Sequence, residues 1–385
     1  MDLLRRILNE QYLVLEIGPE TVEGFGFALD NEKRITPLFS FGPQPWGAPL
    51  PRSVSYRKPT AMIACDSKIS YTVLIPVHSI RERIREPLRQ IELENILSQA
   101  ISKNINQCRK EASTAMDIDE IDVLLAKSRV VNFTIDDHQV LNPLGFRAQK
   151  IECLVELTFT TRAAYKEARR LTGREEVFYT EAAIAELSVL NRVTDMPIRL
   201  LRLRPWQSSY FIREPAQIGY SVSRGELGWT ASSFTDAIKE AWGVSNATAF
   251  KIYTKYLENE YAQGVLKYLS KLVKICTQMF MGELAQSKLP GKVFMDANIP
   301  LPFDLPLAKK GMHIEEPPLD TLLSRFGFTL SDARDREVMP RRKLFAYLAP
   351  FFEHFYDRSQ GELNLWLRKH LHWLGAPMEK NVKHL

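Results

Sequence analysis

The sequence predicts a chain of mixed α and β class, on three observations. Residues 12–17 and 21–29 are apolar or alternating runs separated by Gly18-Pro19, the pattern of a β-hairpin. Residues 148–160 alternate apolar and polar side chains, which predicts a half-buried strand. Residues 263–284 instead predict a long helix. Both element types therefore occur along the chain.

Composition indicates an ordinary globular protein with room for two or more domains. The chain has 385 residues and a net charge of +5, and its basic residues form no patch interleaved with aromatic side chains, so we expect no nucleic-acid partner. Its four cysteines form no CxxC pair, which favours a reducing cytoplasm over a zinc site or a disulfide framework. We also expect no signal peptide and no transmembrane helix, because the apolar runs are shorter than the roughly 18 residues that a span needs.

The first part of the chain is predicted to contain strands, an irregular stretch and helices, in that order. The Pro- and Gly-rich residues 37–59 predict a linker or an irregular crossing after the hairpin. Residues 61–64 and 68–77 are interpreted as a strand pair, and a helix is expected from Glu86. The other elements predicted here are strands at 121–131, 133–135 and 148–160 and helices at 161–171 and 177–190.

The second part of the chain is predicted to be richer in helix. Residues 342–356 form an aromatic-rich helix, with a kink expected at Pro350. The run Arg224-Gly225-Glu226-Leu227 is interpreted as a hairpin turn. The other predicted elements are strands at 198–203, 210–213, 218–222 and 293–295, helices at 234–242, 247–260 and 263–284, and a Pro-rich segment at 301–307.

Residues 363–374, LNLWLRKHLHWL, predict an amphipathic helix that binds a membrane surface. Tryptophan and leucine side chains share one face at helical spacing, while Arg368 and Lys369 point to the other. A helix of this kind is built to lie in a membrane interface. The residues assigned to membrane binding are Leu363, Trp366, Leu367, Arg368, Lys369, Leu371, Trp373 and Leu374.

A helix this short would be a weak and reversible anchor. It becomes firm when several copies are linked, because the second contact then benefits from a high effective concentration. Membrane binding by residues 363–374 therefore suggests self-association. The alternative left open is a terminal helix that packs on the core of its own protein, the commoner role of an amphipathic stretch.

Residues 123–161 resemble part of FtsA, the actin-like bacterial cell-division protein. They contain a strand, an acidic turn at 136–137, the run Asn-Pro-Leu-Gly at 142–145 and a long alternating strand, as in the subdomain that FtsA carries in place of actin's own small subdomain. Residues 15–18 resemble that family's first phosphate loop, and 366–369 the core of its membrane-targeting helix. PilM, an FtsA relative that binds pilus machinery, is a second candidate, but it lacks such a tail.

The resemblance implies an α/β, actin-like (RNase H-like) fold of two lobes, with the inserted subdomain 1C and a C-terminal amphipathic helix. The divisions expected from it are a shortened first part of subdomain 1A at 1–59, the inserted subdomain at 60–161, the second part of 1A at 162–207, the second lobe at 208–340 with its small subdomain 2B at about 231–275, the last helix of the body at 341–357, and a linker, membrane-targeting helix and tail at 358–385.

The first phosphate loop departs from the family's pattern. An actin-type site needs two Gly-rich hairpins that bring backbone N–H groups onto the phosphates. Glu16 and Gly18 are the residues here that could contact a nucleotide. However, Pro19 lacks an N–H group, and the carboxylate of Glu20 would repel phosphate. This hairpin is therefore a poor phosphate loop.

Two further nucleotide motifs are also degraded. The second phosphate loop is assigned to residues 213–219, which offer Gly219 but no glycine cluster. The adenosine turn is assigned to 295–300, where no glycine occurs. We therefore expect ATP binding to be reduced or lost, with ATP and Mg²⁺ as the only possible cofactors. No catalytic residue and no metal site are assigned, since the chain has no P-loop, GxSxG or HExxH motif.

The partners that the resemblance implies are the C-terminal peptide of FtsZ, other divisome proteins, a second copy of the chain and an anionic membrane surface. In FtsA the FtsZ peptide binds the second small subdomain, so Lys251, Tyr253, Lys255 and Tyr256 are the candidate partner-binding residues. The expected location is the cytoplasmic face of the cell membrane, at the division site.

Three functions stay open at this stage. The first is a pseudo-ATPase scaffold that tethers FtsZ filaments to the membrane. The second is a working actin-like ATPase of the same family. The third is a PilM-like adaptor of a pilus or secretion platform, which would bind a short peptide of a membrane partner.

Overall fold

The structure is a computed structural model, and it contains three β-sheets in the part of the chain that it describes. The residues described are 10–51, 59–140, 142–173, 177–287, 289–309, 311–331 and 341–357, together with Trp366. Within these ranges no helix is long and apolar enough to cross a membrane.

The strands and helices are numbered here in chain order. The strands are Glu10–Ile17 (β1), Thr21–Leu29 (β2), Arg34–Pro45 (β3), Thr60–Cys65 (β4), Ser70–Ile80 (β5), Val123–Ile135 (β6), His138–Val140 (β7), Lys150–Thr161 (β8), Phe178–Glu181 (β9), Ile198–Leu203 (β10), Ser208–Pro215 (β11), Tyr220–Leu227 (β12), Gly291–Ala297 (β13), Leu307–Lys309 (β14), Met312–Glu315 (β15) and Thr329–Leu330 (β16). The helices are Gln90–Met116 (α1), Arg162–Thr172 (α2), Ala182–Leu190 (α3), Ser233–Trp242 (α4), Asn246–Leu257 (α5), Gln263–Gln286 (α6), Leu319–Phe326 (α7) and Arg341–Asp357 (α8), with a short 3-10 helix at Glu120–Asp122.

The two large sheets are built on one plan. The first has the order β16-β3-β2-β1-β4-β9, in which β1 to β3 are antiparallel and β4 and β9 run parallel to β1. The second has the order β12-β11-β10-β13-β15-β14, in which β10 to β12 are antiparallel and β13 and β15 run parallel to β10. Three antiparallel strands followed by parallel ones is the RNase H-like topology. Two such sheets in one chain form the actin-like fold, which confirms the predicted fold class.

A small four-stranded sheet is inserted between β4 and β9 of the first large sheet. Its order is β5-β8-β6-β7, and α1 packs on one face through the buried side chains of Leu93, Leu97 and Ile101. The alternating strand β8 pairs with β5 on one side and β6 on the other, so that its apolar residues face the helix. This small sheet begins at Ser70, ten residues after the predicted start of the inserted subdomain, because β4 pairs with β1.

Helices α3 and α8 lie in the apolar core that joins the two large sheets. Phe351 of α8 is fully buried and meets the rings of Tyr12 and Phe27 edge-on, each at 5.0 Å between centroids. The same cluster contains Leu200 and Phe294 of the second sheet. The two lobes therefore share one continuous core, and α8 covers the range that the sequence predicts for the last helix of the body.

The Pro- and Gly-rich stretch was the least accurately predicted part of the first lobe. Residues 34–45 form β3, paired with β2 through two irregularities in register. Gly24 and Gly26 of β2 allow the rings of Phe41 and Phe39 to lie directly against the strand, where a larger side chain would collide. Side-chain packing across these glycines thus stabilises a strand whose prolines suggested a loop.

Other local predictions were corrected in a similar way. Residues 61–64 and 68–77 do not pair with each other, since they belong to different sheets. Residues 224–227 lie inside β12 and pair with β11. The predicted helix 177–190 begins with the short strand β9, and α7, β14, β15 and β16 were not predicted.

Candidate functional site

The turns of two corresponding hairpins face each other between the lobes. The β1–β2 turn is closed by a bond from Gly18 N to Thr21 O of 2.8 Å, and the β10–β11 turn by one from Arg204 N to Gln207 O of 3.1 Å. Since β10 and β11 occupy the same places in the second sheet as β1 and β2 in the first, residues 204–207 are the counterpart of the first turn. These two turns are where an actin-type site would hold phosphates.

Gly219 does not lie at this place, so its assignment to the nucleotide site was wrong. It belongs to the turn between β11 and β12, one strand further along the sheet. Its φ of +71° suits glycine, and a Cβ there would lie 3.1 Å from side-chain atoms of both Asn132 and Leu154 of the small sheet. Residues 204–207, the counterpart of the first turn, contain no glycine, so nothing in the sequence marks them as a phosphate loop.

Two buried arginines of the second lobe fill the space between the turns. Arg202 lies 2.8 Å from Glu16 and 3.3 Å from Asp66, both of the first lobe, and 3.0 Å from Glu186 of α3. Its neighbour Arg204 lies 3.0 Å from Glu16 and 2.5 Å from Asp296 at the end of β13. All six side chains are buried. The four carboxylates that surround the cleft are thus all engaged by guanidinium groups.

Trp206 closes the same cleft from the second turn. Its indole N–H donates a 3.0 Å hydrogen bond to Asp66, so the ring is held in place. The ring lies so close to Gly18 that a Cβ there would come within 2.6 Å of it. Pro205, in the same turn, offers no N–H group. The residues present therefore do not fit a nucleotide, because the phosphate position holds an indole and two guanidinium groups.

The charges of this cluster strongly perturb the carboxylates. Burial alone would raise the pKa of Glu16, but the guanidinium groups of Arg204 and Arg202 outweigh it and bring its pKa to about 2. Burial and the nearby Asp296 carboxylate raise the pKa of Glu186 well above its ordinary value. Glu16 is thus held ionised, whereas the surroundings of Glu186 oppose its ionisation.

A second buried ion cluster joins the small sheet to the body of the first lobe. Glu156 of β8 is fully buried and accepts from Arg129 at 2.9 and 3.0 Å and from the hydroxyl of Tyr220 at 3.1 Å. Lys127 lies 2.9 Å from Glu353 of α8, which Arg129 also contacts. Burial would raise the pKa of Glu156, but the adjacent Arg129 and Lys127 lower it to about 2. The orientation of the small sheet is therefore fixed by charge as well as by packing.

A cleft of about 770 Å³ lies beside this second cluster. Its walls come from β6 and β7 of the small sheet, the end of α3, the β11–β12 turn and the helices α7 and α8. Side chains of Asn132, Arg192 and Arg213 line it, and Gly219 lies at its edge. This volume is in the range of sites for small ligands or short peptide segments.

The candidate partner-binding residues on α5 do not act as one surface. Tyr253 is fully buried, stacks on Phe234 at 5.4 Å and donates to Pro300 O at 2.9 Å, so its assignment to partner binding was wrong. Lys255 pairs with Glu260 at 3.3 Å, and Tyr256 donates to Ser270 at 3.3 Å. Lys251 is exposed.

Among the described residues of the second lobe, the large exposed apolar side chains are Trp242 on α4, Phe250 on α5 and three residues of α6. Tyr268, Leu272, Ile275 and Met279 follow each other at spacings of i, i+4, i+7 and i+11, which places them in one stripe along the helix. Ile275 is 55% and Met279 59% exposed. Three exposed lysines, Lys267, Lys271 and Lys274, fall along one edge of this stripe. The helical spacing of this stripe is visible in the sequence, where residues 263–284 were predicted as a long helix without an assigned role.

The predicted membrane-binding segment is described at one residue. Trp366 is partly buried and packs against the apolar cluster between α1 and the small sheet. This contact belongs to the alternative in which the segment packs on its own protein. The other residues assigned to membrane binding, Leu363, Leu367, Arg368, Lys369, Leu371, Trp373 and Leu374, lie outside the described residues.

No family model matches the chain, and no curated protein matches it in sequence. Among solved structures, it is similar to a PilM–PilN type IV pilus biogenesis complex, with 15% identity over 93% of this chain and 98% of that chain and a TM-score of 0.41. It is also similar to the cytoplasmic domain of EpsL, an inner membrane component of the type II secretion system of Vibrio cholerae, with 11% identity over 82% of this chain and 94% of that chain and a TM-score of 0.32. A third similar structure is a Bacteroides thetaiotaomicron protein with an actin-like ATPase fold and unknown function, with 9% identity over 87% of this chain and 96% of that chain and a TM-score of 0.32. These similarities assign no function, and the actin-like fold rests on the strand order of the two large sheets.

Replacement of Arg204 by methionine is expected to destabilise the protein strongly. The substitution leaves Glu16 and Asp296 buried without one of their cationic partners, which typically costs about 3–5 kcal/mol. Arg34→Met is the control, since it removes an exposed pair with Glu32 that contributes only about 0–1 kcal/mol. The measurement is the free energy of unfolding in urea. Equal losses of unfolding free energy in the two variants would contradict a stabilising role of the buried cluster.

The low pKa of Glu16 predicts that stability falls in acid. Because its folded pKa of about 2 lies below the ordinary 4.5, its contribution is present above pH 4.5 and is lost as the pH falls from 4.5 towards 2. The full contribution is on the order of 3 kcal/mol. In Glu16→Gln the pH dependence of the urea midpoint should be flatter over this interval. A profile parallel to that of the wild type would exclude Glu16 as a source of the acid dependence.

Proposed function

We propose that this protein is a nucleotide-independent scaffold with an actin fold, which holds protein partners at the cytoplasmic face of the membrane. The observation that carries the proposal is the filled cleft, where Arg202, Arg204 and Trp206 stand in place of phosphates. A protein whose cleft is filled by its own side chains needs no nucleotide to keep its lobes together. What remains for function is its surface.

The specific form that we favour is an FtsA-like role in cell division. In this form the protein tethers FtsZ filaments, associates with other copies of itself and with divisome proteins, and is attached through residues 363–374. The α6 stripe supports a partner of the FtsZ type, an acidic peptide with apolar side chains. Ile275 and Met279 offer exposed apolar area, and the row of lysines beside them complements acidic residues.

A PilM-like adaptor of a pilus or secretion platform is the second candidate. The cleft of about 770 Å³ beside the small sheet favours it, since a short peptide of a membrane partner could lie there. The two candidates place the partner on different lobes. A working ATPase would require Arg204 and Trp206 to leave the cleft. The four buried carboxylates would then face the metal ion and the phosphates of the nucleotide.

Calorimetry with Mg-ATP is expected to give no binding heat. Arg204 and Trp206 fill the phosphate position, and both turns contain a proline where an N–H donor would be needed. An actin-fold protein that binds ATP serves as the positive control for the titration. Micromolar binding by the wild type would overturn the proposal and restore the ATPase.

The α6 stripe should bind an acidic, apolar peptide such as the FtsZ C-terminal peptide. We expect Ile275→Ser/Met279→Ser to weaken this binding by about tenfold or more in fluorescence anisotropy, because both side chains lie at the centre of the stripe. Phe250→Ser on α5, which is also exposed at 45%, is the matched control and should bind as the wild type does.

Asn132→Trp, which obstructs the cleft beside the small sheet, separates the two candidate functions. Normal binding of the division peptide by this variant is expected for the scaffold. If Asn132→Trp no longer binds a pilus-type membrane peptide, and Ile275→Ser/Met279→Ser still binds that peptide, the adaptor is favoured instead.

A further inference from the structure

A group of exposed apolar side chains lies at one end of the small sheet. We call it the loop patch, and it belongs to the loops 81–89 and 142–149 and to the residues that flank the first of them. Ile84 is 45% and Phe146 is 47% exposed, and both stand on loops rather than on a helix face. The members of the loop patch are Ile80, Ile84, Ile91, Leu144 and Phe146. None of these side chains serves the sheet's own core.

The two loops are held together by a built framework. Leu88 N donates to Phe146 O at 2.8 Å, and Gly145 N donates to Leu88 O at 2.9 Å. Arg81, only 4% exposed, donates at 2.7 and 2.9 Å to Glu92, and to the carbonyl oxygens of Ala148 and Glu86 at 3.1 Å each. A buried arginine thus fixes loops whose apolar side chains point to water, so the loop patch is preorganised.

The charges around the loop patch complement an anionic surface. Residues 82–89 and 142–149 together contain four exposed arginines, Arg83, Arg85, Arg89 and Arg147, and two exposed glutamates, Glu82 and Glu86. Arg83 and Arg89 lie 3.7 and 4.0 Å from Glu86, and the exposed Asp136 accepts a hydrogen bond from Gln149 N, so the basic excess comes from Arg85 and Arg147. Apolar side chains at the tips of rigid loops, with guanidinium groups among them, match the boundary between acyl chains and anionic headgroups.

We propose that the loop patch is a second membrane contact, which inserts Ile84, Leu144 and Phe146 into the headgroup region of an anionic membrane. The proposal rests on the membrane attachment put forward above. Trp366, the described residue of the predicted anchor, packs on the subdomain that carries the loop patch. Two weak contacts carried by one chain bind a membrane far better than either alone. The two contacts also orient the protein, because they place the small sheet towards the lipid. Helix α6 lies on the other lobe and is not part of this contact.

Vesicle co-sedimentation of the full-length chain tests this proposal. Ile84→Ser/Phe146→Ser should bind vesicles containing phosphatidylglycerol about tenfold or more weakly than the wild type, because two inserted side chains are lost. Ile275→Ser/Met279→Ser removes similarly exposed apolar area from α6 and is the matched control, with unchanged vesicle binding. Arg85→Gln and Arg147→Gln should each weaken binding about fivefold, and only for the anionic vesicles.

A fluorescent label reports insertion directly. All four native cysteines are buried, so Leu144→Cys can be labelled selectively with a polarity-sensitive dye, and its emission should shift to the blue on vesicles. The same label at Gln278→Cys, exposed on α6, should not shift. A label at 144 that stays in water while the wild type binds vesicles overturns the proposal.

Other outcomes separate the loop patch from the anchor. Leu371→Glu/Trp373→Glu keeps Trp366 on the small sheet and tests the predicted anchor alone, so a loss there with normal binding by Ile84→Ser/Phe146→Ser overturns the loop patch and leaves the anchor. If the loop-patch variant lowers the mass of oligomers in sedimentation velocity but not vesicle binding, the loop patch is a contact between copies, and the proposal fails. A wild type that binds no vesicles overturns both membrane contacts.

Discussion

The buried contact of Arg202 and Arg204 with four carboxylates is the interaction on which the rest of this structure depends. The carboxylates come from β1, the residue directly after β4, α3 and β13, so the two guanidinium groups join both sheets and the helix between them. Charges removed from water are stabilised only by close partners of opposite sign, and loss of any one partner leaves the others uncompensated. The cluster therefore fixes the distance between the two hairpin turns. In an actin-type protein that distance is set by a nucleotide, whereas here it is set by the chain itself.

A second buried ion cluster lies where the small sheet meets the body of the first lobe. Glu156 and Glu353 face Lys127 and Arg129 in this cluster, and Tyr220 adds a hydrogen bond from the second lobe. Buried polar clusters thus connect the two lobes and the small sheet. Their contacts are directional, whereas apolar packing is not. A rigid frame of this kind presents its surfaces at fixed angles to each other. The α6 stripe, the cleft beside the small sheet and the loop patch are therefore held at fixed positions relative to one another.

The mixed α and β class was predictable because its repeating signals are local, and the actin-like fold was predicted from the family resemblance of residues 123–161, whereas the site was not predicted. The β1–β2 hairpin, the long strand β8 and the helix α6 carry periodic patterns that need no distant partner. By contrast, the counterpart of the phosphate loop was sought as a glycine cluster and assigned to residues 213–219, because Arg204-Pro205-Trp206-Gln207 resembles no such loop. Tyr253 looked like an exposed tyrosine among lysines, and only the packing of α4 against α5 buries it. Strand β3 was missed because the partners of its phenylalanines are glycines on a neighbouring strand.

The charge of the inter-lobe cluster explains why its conversion back to a nucleotide site would be difficult. Two guanidinium groups face four carboxylates, so a fully ionised cluster would carry two negative charges in excess. Burial and the Asp296 carboxylate raise the pKa of Glu186, and Trp206 donates a hydrogen bond to Asp66. A single substitution that removed Arg204 would increase the excess of negative charge at the position where phosphates would have to enter. Nucleotide binding would then be opposed by repulsion as well as by the indole ring. The nucleotide independence that we propose for this chain would thus rest on several residues together, which favours a protein that acts through its surfaces.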